Sequence, residues 1–309
     1  MKYLTLLIAF SVISSTVALA QHTTHKKRDT PQSVTTDNTN DDDNTTKGSY
    51  LSIGANYISN NVYLGRKDSI AVPYISPYIG YTLKNGLYAK CLESYQATKT
   101  DAHFDLFTFE LGYTHLFWNT LSTSASYDKY SFSDSSENIK SSIKSSLMLS
   151  FLYMNNYVEP LATFIIDRTN ENKTDIVANF GIDHTFFLLH DNMNIIPTLS
   201  ANFGTQNYYN EAIIKKETKK GKKVVNQRAV NATNQFELLD YELSVQAIYK
   251  IQNWVFLLVP TYALPENPST TTIITKTGGT NVFAEQISNS FFIELDASYR
   301  FYHKKKKKG

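Results

Sequence analysis

The stretch Ile287-Ser288-Asn289-Ser290-Phe291-Phe292-Ile293-Glu294-Leu295-Asp296-Ala297-Ser298-Tyr299-Arg300-Phe301 decides the fold. Every second residue from Ile287 is apolar, with Asn289 alone breaking the row, and the residues between are polar apart from Phe292. Side chains alternate across a strand, so one face is oily and the other carries charge. A soluble sandwich would bury the oily face under a second sheet. This chain opens with a secretion signal and repeats the pattern along its length, which points instead to an all-β, closed antiparallel transmembrane β-barrel. In such a barrel the outward residues meet lipid and the inward ones meet water.

Residues 1–20 read as a signal peptide: Lys2, an apolar stretch from Leu4 to Ile13, and the cleavage pattern Ala18-Leu19-Ala20. The stretch is too short for a spanning helix, which needs ~20 apolar residues. Gln21, not cysteine, follows the cleavage pattern, which argues against lipid attachment there. Residues 21–47 hold one aliphatic residue, Val34, and are expected to form a disordered periplasmic linker, because they cannot bury enough apolar surface to offset chain entropy. Asp41-Asp42-Asp43, His22 and His25 sit in no preformed loop, so solvation is favoured over metal binding. The single cysteine, Cys91, excludes an internal disulfide and a cysteine metal site. The net charge of +2 says little, because its parts are segregated. The barrel is expected over residues 48–302, with a basic tail at 303–309.

Gly and Asn divide the segment from Gly48 onward into about twelve strand-compatible runs: 49–59, 71–83, 86–97, 103–117, 120–132, 138–153, 157–167, 174–189, 193–206, 236–250, 254–264 and 286–302. Alternation is clear in 103–117, where Phe107, Phe109, Leu111 and Tyr113 oppose Thr108, Glu110, Gly112 and Thr114. It is equally clear in 236–250, where Leu239, Tyr241, Leu243, Val245, Ala247 and Tyr249 oppose Asp240, Glu242, Ser244 and Gln246. In 138–153, Ile139, Ile143, Leu147, Leu149, Phe151 and Tyr153 are placed outward. In 174–189, Ile176, Ala178, Phe180, Ile182 and Phe186 are. Runs 86–97 and 157–167 alternate poorly.

Connections alternate in length. Lys84-Asn85-Gly86, Trp118-Asn119, Asn155-Asn156, His190-Asp191-Asn192 and Gln252-Asn253 are short, and Asn and Gly tolerate the positive φ of tight hairpins. The others are longer and polar. Outer-membrane barrels keep short turns in the periplasm and long loops outside, and twelve strands put both termini on the short-turn side. Aromatic residues flank those turns (Tyr81 and Tyr88, Phe117 and Trp118, Tyr153 and Tyr157, Phe186 and Phe187, Tyr249 and Trp254), as a girdle at the headgroup level would.

The segments Tyr63-Leu64-Gly65-Arg66-Lys67-Asp68-Ser69, Pro73-Tyr74-Ile75-Ser76-Pro77 and Lys84-Asn85-Gly86-Leu87-Tyr88 resemble uncharacterised outer-membrane β-barrel proteins of the Bacteroidetes type. Leu239-Asp240-Tyr241-Glu242-Leu243 and Pro260–Pro268 are similar to segments of the same group. The resemblance spans most of 49–302 and implies a single closed barrel in the bacterial outer membrane. It brings no catalytic residues. Tyr299-Arg300-Phe301 fits the aromatic signal read by the barrel-assembly machinery in such proteins, although Tyr302, His303 and Lys304–Lys308 follow it.

No nucleotide loop, nucleophile elbow, metalloprotease helix or zinc spacing is present, so no enzyme, cofactor or nucleic-acid partner is expected. His184 is the best candidate base for a lipase, and no serine can be assigned to it. Strand phase places Glu110, Lys140, Lys144, Asp183, Asp240, Glu242, Glu294, Asp296 and Arg300 in the lumen. Two readings compete: these charges fill a structural barrel, or they line a narrow water path for small solutes. Lys215, Lys216, Lys219, Lys220, Lys222 and Lys223 make loop 207–235 basic, a solvated loop or a contact for lipopolysaccharide phosphates and other anions. Asp68-Ser69-Ile70 resembles a short O-glycosylation sequence. The alternative function is surface binding or adhesion through loops 207–235 and 265–285.

Overall fold

The computed structural model describes residues 48–67, 71–97, 102–134, 136, 138, 140–189, 192–209, 211, 235–268, 270–274, 280–284 and 287–303. The signal peptide, the 21–47 linker, Asp68-Ser69-Ile70, the lysines of 215–223 and the lysine tail lie outside the described residues.

Among the described residues, twelve wall strands form the fold: β1 (Tyr50–Ile58), β2 (Tyr74–Thr82), β3 (Leu87–Ala97), β4 (Ala102–Phe117), β5 (Leu121–Phe132), β6 (Ile143–Tyr153), β7 (Glu159–Thr169), β8 (Thr174–Asp183), β9 (Met193–Gly204), β10 (Glu237–Ile251), β11 (Trp254–Pro265) and β12 (Ser290–Tyr302). Each is antiparallel to the strand before it, and β1 pairs with β12, so the ring closes. At the closure Tyr50 faces Tyr302 and Ala55 faces Ala297, which brings both ends of the barrel chain to the short-turn side. Trp118 and Asn119 both take positive φ, 50° and 58°, the two-residue turn that matches strand twist.

The burial pattern is that of a soluble protein turned inside out. Along β10, Leu243 is 53% exposed while its neighbours Glu242 and Ser244 are 1% exposed. Along β12, Phe291, Leu295 and Phe301 are exposed, and Ser290, Glu294, Asp296, Ser298 and Arg300 are buried. Closed strands satisfy every backbone group internally, the condition for a wall in contact with hydrocarbon.

Local irregularities correct several expected orientations. The register shifts between Ile143 and Ser145, so Ile143 turns inward at 1% exposure. Lys144 becomes the bulge residue, half-buried at the start of β6 with its ammonium on Asn172, and is not part of the deep interior. A second shift, between Asn202 and Phe203, carries Leu239 inside with Asp240. The run 174–189 breaks at His184-Thr185, because the Thr185 amide and hydroxyl both donate to Glu159 Oε2, and Phe186–Leu188 then resumes pairing with β9. Tyr88 leaves the girdle: it lies inside across Gly112, where a Cβ would meet its ring at 2.3 Å. Runs 86–97 and 157–167 alternate poorly in sequence because their inward rows carry Leu92, Leu161 and Ile165.

A closed barrel has no free edge for detergent to open. Unboiled protein in mild detergent is therefore expected to migrate faster on a gel than the boiled chain. Equal mobility would contradict the closure of β1 on β12.

Candidate functional site: the barrel interior and its inward hairpin

The interior mixes apolar and charged groups. Leu152, Leu161, Ile165, Ile196, Ile248, Val255, Leu257 and Val259 form part of one buried cluster on β6 to β11, and the same strands carry the buried Glu159, Asp167, Asp175, Asp183, Asp240 and Glu242. A further charged group lies on β1 to β5 and β12. Lys90 stands 4.0 Å above the Tyr78 ring, in the field of Glu110, Asp296, Glu294 and Asp128. Asn56 Nδ2 donates to Glu294 (3.0 Å), the Tyr78 hydroxyl to Asp296 (3.1 Å) and the Tyr88 hydroxyl to Glu110 (2.8 Å). The Arg300 guanidinium faces the Tyr50 ring at 5.3 Å.

Eight of the nine residues placed in the lumen by strand phase are buried: Glu110, Lys140, Asp183, Asp240, Glu242, Glu294, Asp296 and Arg300, with Lys144 the exception. Glu110, Glu294 and Asp296 come together around Lys90. Asp183 sits opposite Glu159, and Lys140 approaches Asp167. The lumen set read from the strands left out Lys90, Asp128, Glu159, Asp167 and Asp175, although Asp175 stood on the inward face of 174–189. Lys90, Glu159 and Asp167 lie in the two weakly alternating runs, where a charge was the only signal.

The long-loop end is crossed from within. Residues Val62–Tyr63 and Arg66–Lys67 form a short hairpin whose turn residues, Leu64 and Gly65, have φ of 51° and 72°. The hairpin leaves the wall between β1 and β2, yet the Tyr63 hydroxyl donates to Asp167 on β7, on the far side of the ring. Burial, then the charge of Asp167, push the Tyr63 hydroxyl above its ordinary pKa, so it remains a donor. Arg66 anchors the other side: Nη1 donates to Leu64 O (2.9 Å) and Leu239 O (2.6 Å), Nη2 to Glu266 O (2.8 Å) and Asn267 O (2.9 Å). A side chain at Gly65 would collide with Asp240 Cβ and Pro265 Cβ, both at 2.9 Å.

Two further loops knit onto this hairpin. Asn61 Nδ2 donates to Asn138 Oδ1 (2.6 Å), and Asn138 Nδ2 donates to the Tyr74 hydroxyl (3.2 Å). Tyr208 meets Tyr63 edge-on at 4.9 Å, held by its own amide on Asp175 (2.8 Å) and by the Ser142 hydroxyl on its carbonyl (2.7 Å). Lys140 lies 5.0 Å from the centroids of both Tyr63 and Tyr130, and burial lowers its pKa to about 8. Asp105 takes donors from Tyr74 (2.6 Å), Ser133 (3.1 Å) and Ser136 (2.9 Å), which holds Ser133 and Ser136 against the interior.

His184, the candidate base, packs edge-on against Phe186 at 4.7 Å, and among the described residues no serine hydroxyl is recorded on its ring. Among the described residues no group of three or more His, Cys, Asp or Glu is arranged to hold a metal. On the outer wall, a depression of about 540 Å³ runs past Ala55, Tyr57, Ala247, Phe256, Leu295 and Ala297, where small residues thin the apolar belt.

No family model and no curated protein matches the chain. Among solved structures it is similar to one described as KdgM porin, at 11% identity and a TM-score of 0.45 over 81% of this chain and 99% of that one. It is similar to a NanC porin structure at 10% identity and a TM-score of 0.44, over 81% and 100% of the two chains. It is also similar to LpxR from Salmonella typhimurium at 11% identity and a TM-score of 0.40, over 81% and 100%.

Proposed function

We propose that the chain is a bacterial outer-membrane barrel that passes small solutes passively through a narrow, hydrated interior, with the 62–67 hairpin as its closure. One observation carries this reading. Among the described residues, Thr108 Oγ1, Ser126 Oγ, both oxygens of Asp128, Ser244 Oγ, both amide atoms of Gln246 and Thr261 Oγ1 are buried without a protein hydrogen-bond partner. Buried polar groups require partners, and inside a closed wall only water or a solute can supply them. A barrel whose sole task is structural would be expected to satisfy its interior with its own side chains. The outward apolar row supports residence in a bilayer, and the short-turn placement of both chain ends supports periplasmic termini.

The rival reading is a filled barrel that stiffens the membrane, and the buried apolar cluster inside the wall is what favours it. Single-channel recording in planar bilayers separates the two. Passage predicts small, discrete conductance steps, brief because the hairpin spans the mouth. A lumen that never conducts, even with the hairpin released, would leave the structural reading standing.

A further inference from the structure

We propose that the interior is a cation pathway: it collects small inorganic cations, and what the barrel passes when open is cationic rather than anionic. This inference rests on the passage reading above and names the solute class.

The sign of the interior charge is the first observation. Among the described residues, the buried carboxylates number twelve and the buried lysines and arginines four, namely Arg66, Lys90, Lys140 and Arg300, a surplus of eight. The arrangement of those carboxylates is the second. Glu110 is the direct cross-strand partner of Asp128, Asp167 of Asp175, and Glu159 of Asp183. Asp240 with Glu242, and Glu294 with Asp296, stand two residues apart on one face of a strand. Ten of the twelve buried carboxylates are therefore paired with another, leaving only Asp105 and Glu211 outside such pairs. Like charges directly opposite each other destabilise a sheet, and packing for stability alone would disperse them.

The third observation concerns what faces the pairs. Among the described residues, both Asp128 oxygens are buried without a hydrogen-bond partner, as are Ser244 Oγ, on the same face as Glu242, and Thr261 Oγ1, whose residue is the cross-strand partner of Ser244. These are oxygen ligands of the kind that hard cations take in place of hydration water. Lys90 and Lys140 offset part of the charge near Glu110, Asp128 and Asp167, but cannot balance the whole. Rings of Asp and Glu in a low-dielectric wall focus a field that raises the local concentration of cations and excludes anions. Arg66, in the hairpin that bridges the mouth, adds a fixed positive charge to the closure itself.

The test uses the full mature chain, the Arg66→Ala variant that loosens the hairpin, and the isosteric pair Asp128→Asn with Glu242→Gln. Reversal potential is measured across a KCl gradient in planar bilayers. The inference expects potassium to carry most of the current, with the reversal potential moving toward zero in the neutralised pair. Conductance that prefers chloride, or a preference unmoved by neutralisation, would overturn the cation pathway and leave passage intact. If neither the parent nor Arg66→Ala conducts, the passage reading fails, and a second readout decides the inference. The temperature at which the unboiled gel band is lost should then be higher in NaCl than in N-methylglucamine chloride at equal ionic strength, and the difference should vanish in the neutralised pair. Equal melting in the two salts would overturn it.

Discussion

Replacing Leu243 or Leu295 with arginine is expected to destabilise the folded barrel by about 2–4 kcal/mol, the cost of a charged side chain near the bilayer midplane. Both leucines point outward, at 53% and 43% exposure, and on a soluble protein such positions would accept a charge with little effect. Ser244→Ala, one position along β10, changes a fully buried residue yet is expected to alter stability by less than about 0.5 kcal/mol, since its hydroxyl bonds to no protein group among the described residues. Urea unfolding from liposomes measures both. A large loss at Ser244 with none at Leu243 would mean that the apolar row faces protein rather than lipid.

Arg66→Ala is expected to release the hairpin and leave the wall standing. The guanidinium holds four main-chain carbonyls, at Leu64, Leu239, Glu266 and Asn267. Water entering from the mouth can replace part of what is lost, so the net cost to hairpin docking is about 3 kcal/mol, roughly a hundredfold in the docked-to-undocked ratio. Tyr63 still reaches Asp167, which limits the release. The expected result is longer open times in bilayer recordings at an unchanged temperature for loss of the unboiled gel band. Collapse of the barrel, or open times identical to those of the parent chain, would show that the hairpin is a fixed part of the core.

Most of the wall was legible because a strand in a two-solvent wall is under a strict constraint. Lipid on one side and water on the other force a period of two, and one residue of slip would expose every charge to hydrocarbon. That is why β4 from Phe107, β10 from Asp240 and β12 could be read residue by residue. The same logic failed where the rule is locally suspended. At Ile143 and Leu239 a bulge adds one residue and reverses the phase, and nothing in composition marks the insertion. Tyr88 was misplaced because aromatic rings suit the interface and the interior equally, and what decided it was the missing side chain at Gly112 on the neighbouring strand.

The candidate site divides in the same way. Glu242, Glu294, Asp296 and Arg300 were readable as inward because each stands in an unbroken alternation. Asp167 and Lys90 were not, because Leu161, Ile165 and Leu92 make their inward rows look half apolar. The cross-strand carboxylate pairs could not be read at all, since partners such as Glu110 and Asp128 meet through register rather than spacing.

Sequence alone determined that this chain builds a closed antiparallel wall of about twelve strands, oily outside and polar inside, because alternation and turn chemistry are local and each strand carries them independently. Only the tertiary structure decided what occupies the space the wall encloses. The Tyr63-to-Asp167 hydrogen bond joins opposite sides of the ring across 104 positions of chain, and Arg66 reaches carbonyls as many as 201 positions away. Contacts of that kind depend on the diameter of the closed ring and on loops folding back into it, and no local pattern encodes either.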